Sequence, residues 1–366
     1  MGIFLSSRGI INRVALENDI KPAGWEEVEV HPFPYFSLSL NAAGKIAFVA
    51  RARKERLKLG RAYTPRTSPL TSDTIFLGSS GTLKQVATTG DPSPTGSEFL
   101  GVLPQQVFLN SKDQVLFAAS IGAPTLQSRD QDGLFLSSRD IITKIIVLGD
   151  ASPLGGTFSQ LRGGIGGGME IPFSFSLNDH GHVAFVGLVE GGTAPEGVFV
   201  ASYGVIRKVM AVGYPFPTLG YFKAFAFPAL NDVGDVAFFA SGEDLAQGGI
   251  FTFSRTMLTK VVVTGDPTPI GGQFDDVYSK PALNNSGEVV FGAQISDGRK
   301  GIFLSSGGVI QKVVAAGDPT PSGGSFTFRS IMGPAYDFPP WEYCLDDAGR
   351  VAFHAEQGLF LASPIE

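Results

Sequence analysis

The chain repeats itself, and the repeat restricts the fold more than any single residue does. A first motif, Gly301-Ile302-Phe303-Leu304, recurs from Gly2, Thr74, Gly133, Gly197, Gly249 and Gly358, which makes seven copies. A second runs Gly317-Asp318-Pro319-Thr320-Pro321-Ser322-Gly323-Gly324-Ser325-Phe326 and recurs from Gly90, Gly149, Gly213 and Gly265, with a worn copy at Asn18-Asp19. In all six copies a Pro stands three places after the Asp position: Pro22, Pro94, Pro153, Pro217, Pro269 and Pro321. A third, Leu-Asn-x-x-Gly-x-Val-Ala-Phe, places its Asn at 41, 110, 178, 231 and 284, with Asp346 in the sixth copy. Successive third motifs lie 69, 68, 53, 53 and 62 residues apart, so the minimal unit is 53 residues and the surplus is insertion.

Each unit holds four short runs rich in apolar, β-branched and aromatic residues, bounded by Gly, Asn, Asp and Pro. The fifth unit shows them at residues 274–283, 288–293, 301–305 and 309–315. With 47 Gly and 24 Pro spread along 366 residues, long helices are excluded. Six units of four strands predict an all-β, six-bladed β-propeller, with the whole chain as one domain. The units fall at 17–82, 83–140, 141–204, 205–256, 257–308 and 309–366, with residues 1–16 closing the ring. The tight Asn-x-x-Gly turn joins the Leu-Asn strand (A) to the Val-Ala-Phe strand (B). Gly-Ile-Phe is then strand C, and the Lys-Val-Val run before Gly-Asp is strand D.

This arrangement resembles the WD40-like repeats of TolB-type propellers. The full set of motifs resembles an uncharacterised group of bacterial choice-of-anchor tandem-repeat proteins, over nearly the whole chain. That resemblance implies a propeller scaffold, commonly exported and surface-associated, and it implies no reaction. Tyr214 replaces the motif Asp and Asp113 the motif Gly. No leader of basic, apolar and small residues stands at Met1, so no secretion signal is expected within this sequence, and the compartment stays open.

Closure raises a counting problem, because strand C has seven copies and the other strands six. Residues 10–15 are expected to supply strand D of the last blade. Gly2 to Ser6 and Gly358 to Ser363 then compete for a single place.

Composition excludes several classes of function. The 28 basic and 34 acidic residues give a net charge of −6, against a generic nucleic-acid binder. No apolar run reaches the roughly 18 residues of a membrane helix. Cys344 is the only cysteine, so neither an internal disulfide nor a cysteine metal site is expected. No metal or cofactor is expected.

Function is sought on the face carrying the Gly-Asp-Pro turns, where D-to-A and B-to-C connections emerge and the long insertions are expected. Residues 51–66 carry Arg51, Arg53, Lys54, Arg56, Lys58, Arg61 and Arg66 against Glu55, a net +6, and fit a polyanion or acidic partner. The alternative is a solvated loop paired with the acidic body. Tyr336, Asp337, Trp341, Glu342 and Tyr343 fall in the insertion of the last unit, and Trp25 with Glu26, Glu27 and Glu29 in that of the first. Flat aromatics beside carboxylates suit a sugar face or a cation, although the same rings also serve to pack wide loops. Asp91, Asp150, Asp266 and Asp318 are read as Asx-type turn formers rather than a calcium ring, as are the repeated Asn. The glycine-rich residues 163–169 lack the Lys-Ser or Lys-Thr of a phosphate loop. His180 and His182 alternate across one turn and are expected to act apart.

Three roles follow. The leading one is a noncatalytic binding or scaffold propeller recognising a glycan or protein partner. The second is a carbohydrate hydrolase or lyase using Asp275 or Asp276 with Glu342 or Asp337. The third is an array unit assembling by strand exchange, so that the protein is either a monomer or a strand-exchanged oligomer.

Overall fold

A computed structural model of the chain describes residues 2–7, 10–16, 27–29, 38–53, 71–79, 82–122, 131–162, 175–215, 220–243, 247–277, 279–328 and 343–363. Every regular element among them is a β-strand. The sheets are antiparallel in the order A-B-C-D, and the fold is an all-β, six-bladed β-propeller.

The chain divides into two compact units, Met1–Asp150 and Ala151–Glu366. The first holds a hairpin of Gly2–Ser7 and Ile10–Leu16, followed by two blades. In blade one, strands B, C and D are Ile46–Arg53, Thr71–Ser79 and Thr82–Thr88. In blade two, strands A to D are Glu98–Leu109, Val115–Gly122, Gln131–Ser138 and Ile141–Val147.

The second unit holds blades three to six. Strands B, C and D of blade three are Val183–Glu190, Glu196–Ser202 and Val205–Ala211. Blade four is Ala224–Leu230, Val236–Ser241, Gly248–Ser254 and Met257–Val263. Blade five has Val289–Ile295, Lys300–Ser306 and Val309–Ala315 as B, C and D. Blade six has Tyr343–Leu345, Val351–Ala355 and Gly358–Ala362 as A, B and C.

The repeated motifs meet in three dimensions because each supplies one Phe to its blade. In blade three these are Phe158, Phe185 and Phe199, all at most 1% exposed. Phe158 meets Phe199 edge-on at 4.9 Å, and Phe185 stacks on Phe199 at 5.6 Å. The same triad forms from Phe99, Phe117 and Phe135, from Phe274, Phe291 and Phe303, and from Phe326, Phe353 and Phe360. Such edge-to-face and offset contacts add about 0.5–1.5 kcal/mol to simple burial.

The A-to-B turns tie neighbouring blades together. Asn178 Oδ1 accepts the amides of His180 and His182, while its Nδ2 donates to the carbonyl of Asn231, 2.9 Å away on the next blade. Asn231 donates in turn to the Asn284 carbonyl and Asn284 to that of Asp346. In the first unit Asn41 does the same to Asn110. The repeated Asn are therefore Asx-turn formers, as expected, and inter-blade struts as well. Asp113, which replaces the motif Gly, keeps its left-handed φ of 62° and places its carboxylate on Lys45 and Asn41 of blade one.

The N-terminal strands pair differently from expectation. Ile10–Leu16, read as the fourth strand of blade six, is hydrogen-bonded to Gly2–Ser7, with Phe4 opposite Arg13 just as Phe135 is opposite Lys144. A local hairpin closes a far shorter loop than a pairing with the other end of the chain. Blade six accordingly has three strands among the described residues.

Candidate functional site

The added length leaves the sheets only partly where the sequence placed it: blades one and two carry it in B-to-C connections, after Arg53 and after Gly122, as expected, whereas other insertions fall within strand A. In blade three Thr157–Arg162, which directly precedes the glycine-rich residues 163–169, is already the start of strand A, with Arg162 opposite Val186 on strand B. The chain departs after Arg162 and resumes as Phe175–Leu177, with Phe175 opposite Phe185. The insertion therefore interrupts strand A beside the motif Phe of strand B. Blade one breaks between Glu29 and Leu38, which lies opposite Phe48. Blade two shifts register between Val102 and Val107, opposite Phe117, and blade four between Ala226 and Ala229. Blade five breaks between Asp276 and Ala282. In blade six Thr327 accepts the Glu356 amide, and Tyr343 then pairs with Phe353. Strand A is thus interrupted in blades one, three, five and six and shifts register without a break in blades two and four, in each case beside the motif Phe of strand B.

The break has a hydrogen-bonding consequence that blade five displays. With strand A absent beside Phe291, the Gly292 amide donates to Ser279 Oγ at 3.2 Å and Tyr343 Oη at 3.1 Å. Tyr343 Oη itself donates to the Lys280 carbonyl, and burial pushes its phenol well above the ordinary range. Tyr343, expected at a ligand face, thus clasps blade five to blade six. Tyr336, Asp337, Trp341, Glu342 and Trp25 lie outside the described residues.

The basic segment begins inside a strand. Arg51 and Arg53 stand on strand B of blade one, opposite Glu29 and Glu27 in the backbone ladder. Lys54, Arg56, Lys58 and Arg61 lie outside the described residues.

The Gly-Asp-Pro carboxylates are engaged locally, though not as the Asx turns expected. Asp150 Oδ2 accepts the Val147 amide three residues earlier, and Oδ1 takes Lys144 Nζ at 2.7 Å. Asp266 with Lys260, and Asp318 with Lys312, repeat this. The bend itself is shaped by the following Ser or Thr, as when Ser152 Oγ accepts the Leu154 amide. Where Tyr214 replaces the Asp, Lys208 lies over its ring, 4.7 Å from the centroid. The described residues contain no group of three metal-ligating side chains.

One cluster was misread from sequence. His180 and His182 are stacked with centroids 5.8 Å apart, because Gly181 between them adopts φ 77° and both flanking amides turn onto Asn178 Oδ1. Tyr203 packs edge-on against His182 at 4.9 Å, and His180 Nδ1 lies 3.9 Å from Asp232 Oδ1 on blade four. Burial, and secondarily the neighbouring His180, hold the His182 imidazole below its ordinary 6.5. A base with a depressed folded-state pKa binds its proton less readily when folded than when unfolded. Stability is therefore expected to fall as pH drops through 6.5 toward the lower folded value. His182→Phe is expected to flatten this part of the stability profile over roughly pH 5 to 7, measured by urea unfolding.

A family model described as a family of unknown function (DUF7453) matches residues 1–191 and again residues 162–360. The chain belongs to this family. The two matches together span both units, and the family carries no assigned activity. No curated protein matches the chain. Among solved structures it is similar to the β-propeller domain of the Trilobed protease from Pyrococcus furiosus, at 10% identity and TM-score 0.35, covering 91% of this chain and 97% of that one. It is also similar to the Penicillium chrysogenum α-L-arabinanase complexed with arabinobiose, at 13% identity and TM-score 0.38, covering 89% and 91%. A third likeness is to Trypanosoma rangeli sialidase, at 11% identity and TM-score 0.41, covering 92% of this chain and 54% of that one. At these values the likenesses carry nothing about what this chain binds.

Proposed function

We propose that this protein is a noncatalytic binding propeller that recognises a glycan or protein partner from the side where its insertions leave the blades. The observation that carries this reading is the shared level of the strand-A breaks. Each blade joins strand A to strand B by a short Asn- or Asp-led turn, and beside the motif Phe four blades interrupt strand A with chain of different lengths while two shift its register. Variable chain on a rigid scaffold is where recognition is built. The aromatic and acidic residues 336–343 belong to the longest of these departures, and residues 51–66 supply a cationic second patch. The resemblance to surface-associated tandem-repeat proteins with TolB-type repeats supports a partner met at the cell surface.

A glycan array run beside a hydrolysis screen tests the reading. Binding without turnover is the expected result, and turnover of a bound glycan would replace it with the hydrolase or lyase reading. Trp341→Ala is expected to weaken glycan binding about tenfold, the scale of one ring stacked on a ligand. If binding rests on residues 51–66 instead, about 0.5 M salt abolishes it and Trp341→Ala leaves it unchanged.

A further inference from the structure

We infer that the partner of this protein is an acidic glycan, and that Lys280, at the strand-A break of blade five, holds the carboxylate of one of its uronic acid units. This narrows the glycan reading above and rests on it. The break sets the side chain apart from the sheet. Strand A leaves the ladder after Asp276 and returns at Ala282. Within the gap Ser279 and Pro281 are buried, and Ser279 turns its hydroxyl onto the Gly292 amide of strand B. Lys280 between them is exposed, so its side chain leaves on the opposite side, away from strand B.

That side is the inner one. Strands A of blades three to six stand next to one another: Asn178 reaches the Asn231 carbonyl at 2.9 Å, Asn231 that of Asn284 at 3.0 Å, and Asn284 that of Asp346 at 3.1 Å. Strands brought together in this way line the channel around which propeller blades are set. Lys280 stands four residues before Asn284, and Phe227 stands four before Asn231 in the same Pro-Ala-Leu-Asn context, so Phe227 holds the equivalent place on blade four. Its ring is half-buried against the core shared by blades four and five, and its backbone has a left-handed φ of 52°. Bulky residues rarely hold that conformation, and such outliers gather at ligand sites. A cation and an aromatic ring at one level of adjacent blades match the carboxylate and the apolar ring face of a uronic acid.

The lysine is fixed before any ligand arrives. Its carbonyl accepts the Tyr343 hydroxyl of blade six, whose oxygen accepts the Gly292 amide, so two blades hold the backbone at the break. Water reaches the Lys280 side chain, yet burial by the surrounding protein holds its ammonium below the ordinary 10.5. A group both wetted and desolvated lies in a recess, where an anion is attracted more strongly than on an open surface.

Calorimetry with an oligogalacturonate and with a neutral galactose oligomer of the same length tests the inference. The acidic oligomer is expected to bind about tenfold more tightly, Lys280→Gln to remove that preference, and Lys280→Arg to retain most of it. Competitive acetylation of lysines, read by peptide mass, locates the contact without a variant. The oligogalacturonate is expected to slow labelling of Lys280 about fivefold. Lys144, Lys260 and Lys312, each paired with the Asp of a Gly-Asp-Pro turn, are the references and should not change. Equal binding of the two oligomers, a preference that survives Lys280→Gln, or unchanged labelling of Lys280 overturns the inference and leaves the glycan reading standing. Monomeric galacturonate that protects Lys280 as well as the oligomer does reassigns the site to a free acid and also overturns it. If neither oligomer binds, the inference fails, and the glycan array decides separately whether the broader reading fails with it.

Discussion

Phe199→Ala is expected to remove about 3–5 kcal/mol of unfolding free energy, the largest loss from any single aromatic truncation in blade three. The ring is fully buried and sits between Phe158 at 4.9 Å and Phe185 at 5.6 Å, so truncation removes its own burial and strands two neighbouring faces. The hole cannot collapse easily, because Phe185 and Phe199 lie opposite each other in the B-to-C ladder and the backbone fixes their separation. A urea titration should show a lower midpoint with an unchanged slope, since the surface exposed on unfolding is nearly the same. Phe253→Ala is the comparison: that ring is on strand C of blade four but only half-buried, and its loss should be clearly smaller.

Phe199 also marks how far the sequence could be read. Its motif announced a strand, and the recurrence of three motifs announced blades, because turn residues and β-branched runs act locally. The pairing of Phe158 with strand B was not legible. Read along the chain, Phe158 follows a Gly-Gly turn and precedes the glycine-rich residues 163–169, which looks like continuous loop; only Val189 opposite it makes it a strand. Long-range ladders decide such positions, and a one-dimensional pattern does not contain them. The same limit hid the histidine pair. Alternation across an extended chain separates residues 180 and 182, and the left-handed Gly181 cancels that alternation. The signal that was present was the motif Gly itself, which stands there to turn the chain. The hairpin was misassigned for a different reason: the repeat count said that one strand was surplus, and nothing local says which edge it prefers.

Gly249→Ala is expected to cost about 2–4 kcal/mol, although it adds one methyl group and the site has an ordinary strand conformation. The reason is the register shift between Ile250 and Phe251 in the ladder that begins with Gly249 opposite Val263, which draws strand D close over Gly249. A Cβ on Gly249 would fall 2.5 Å from the Val262 carbonyl oxygen and 2.6 Å from Val263 Cγ1. The first of these is backbone, so no rotamer change relieves it. A Cβ on Gly133, Gly197 or Gly301 would meet the equivalent carbonyl of its own blade, Ile146, Met210 or Val314, at 2.8, 2.7 or 3.0 Å, and Gly301→Ala should therefore cost less than Gly249→Ala. Blade one shows what is needed to dispense with the glycine. Thr74 occupies that position at 3% exposure, and its hydroxyl lies 2.6 Å from that of Thr88 on strand D, so a polar pair replaces the close backbone approach. Gly101→Ala is the control, since no atom lies within 4 Å of its added Cβ, and its stability should stay within about 0.5 kcal/mol of the parent. An equal loss at Gly101 and Gly249 would show that the close approach at Gly249 is not the cause; chain entropy would not explain it either, since Gly→Ala restricts the unfolded chain and favours folding. A loss confined to Gly249 places it in the closeness of strands C and D, the contact on which each blade's outer half depends.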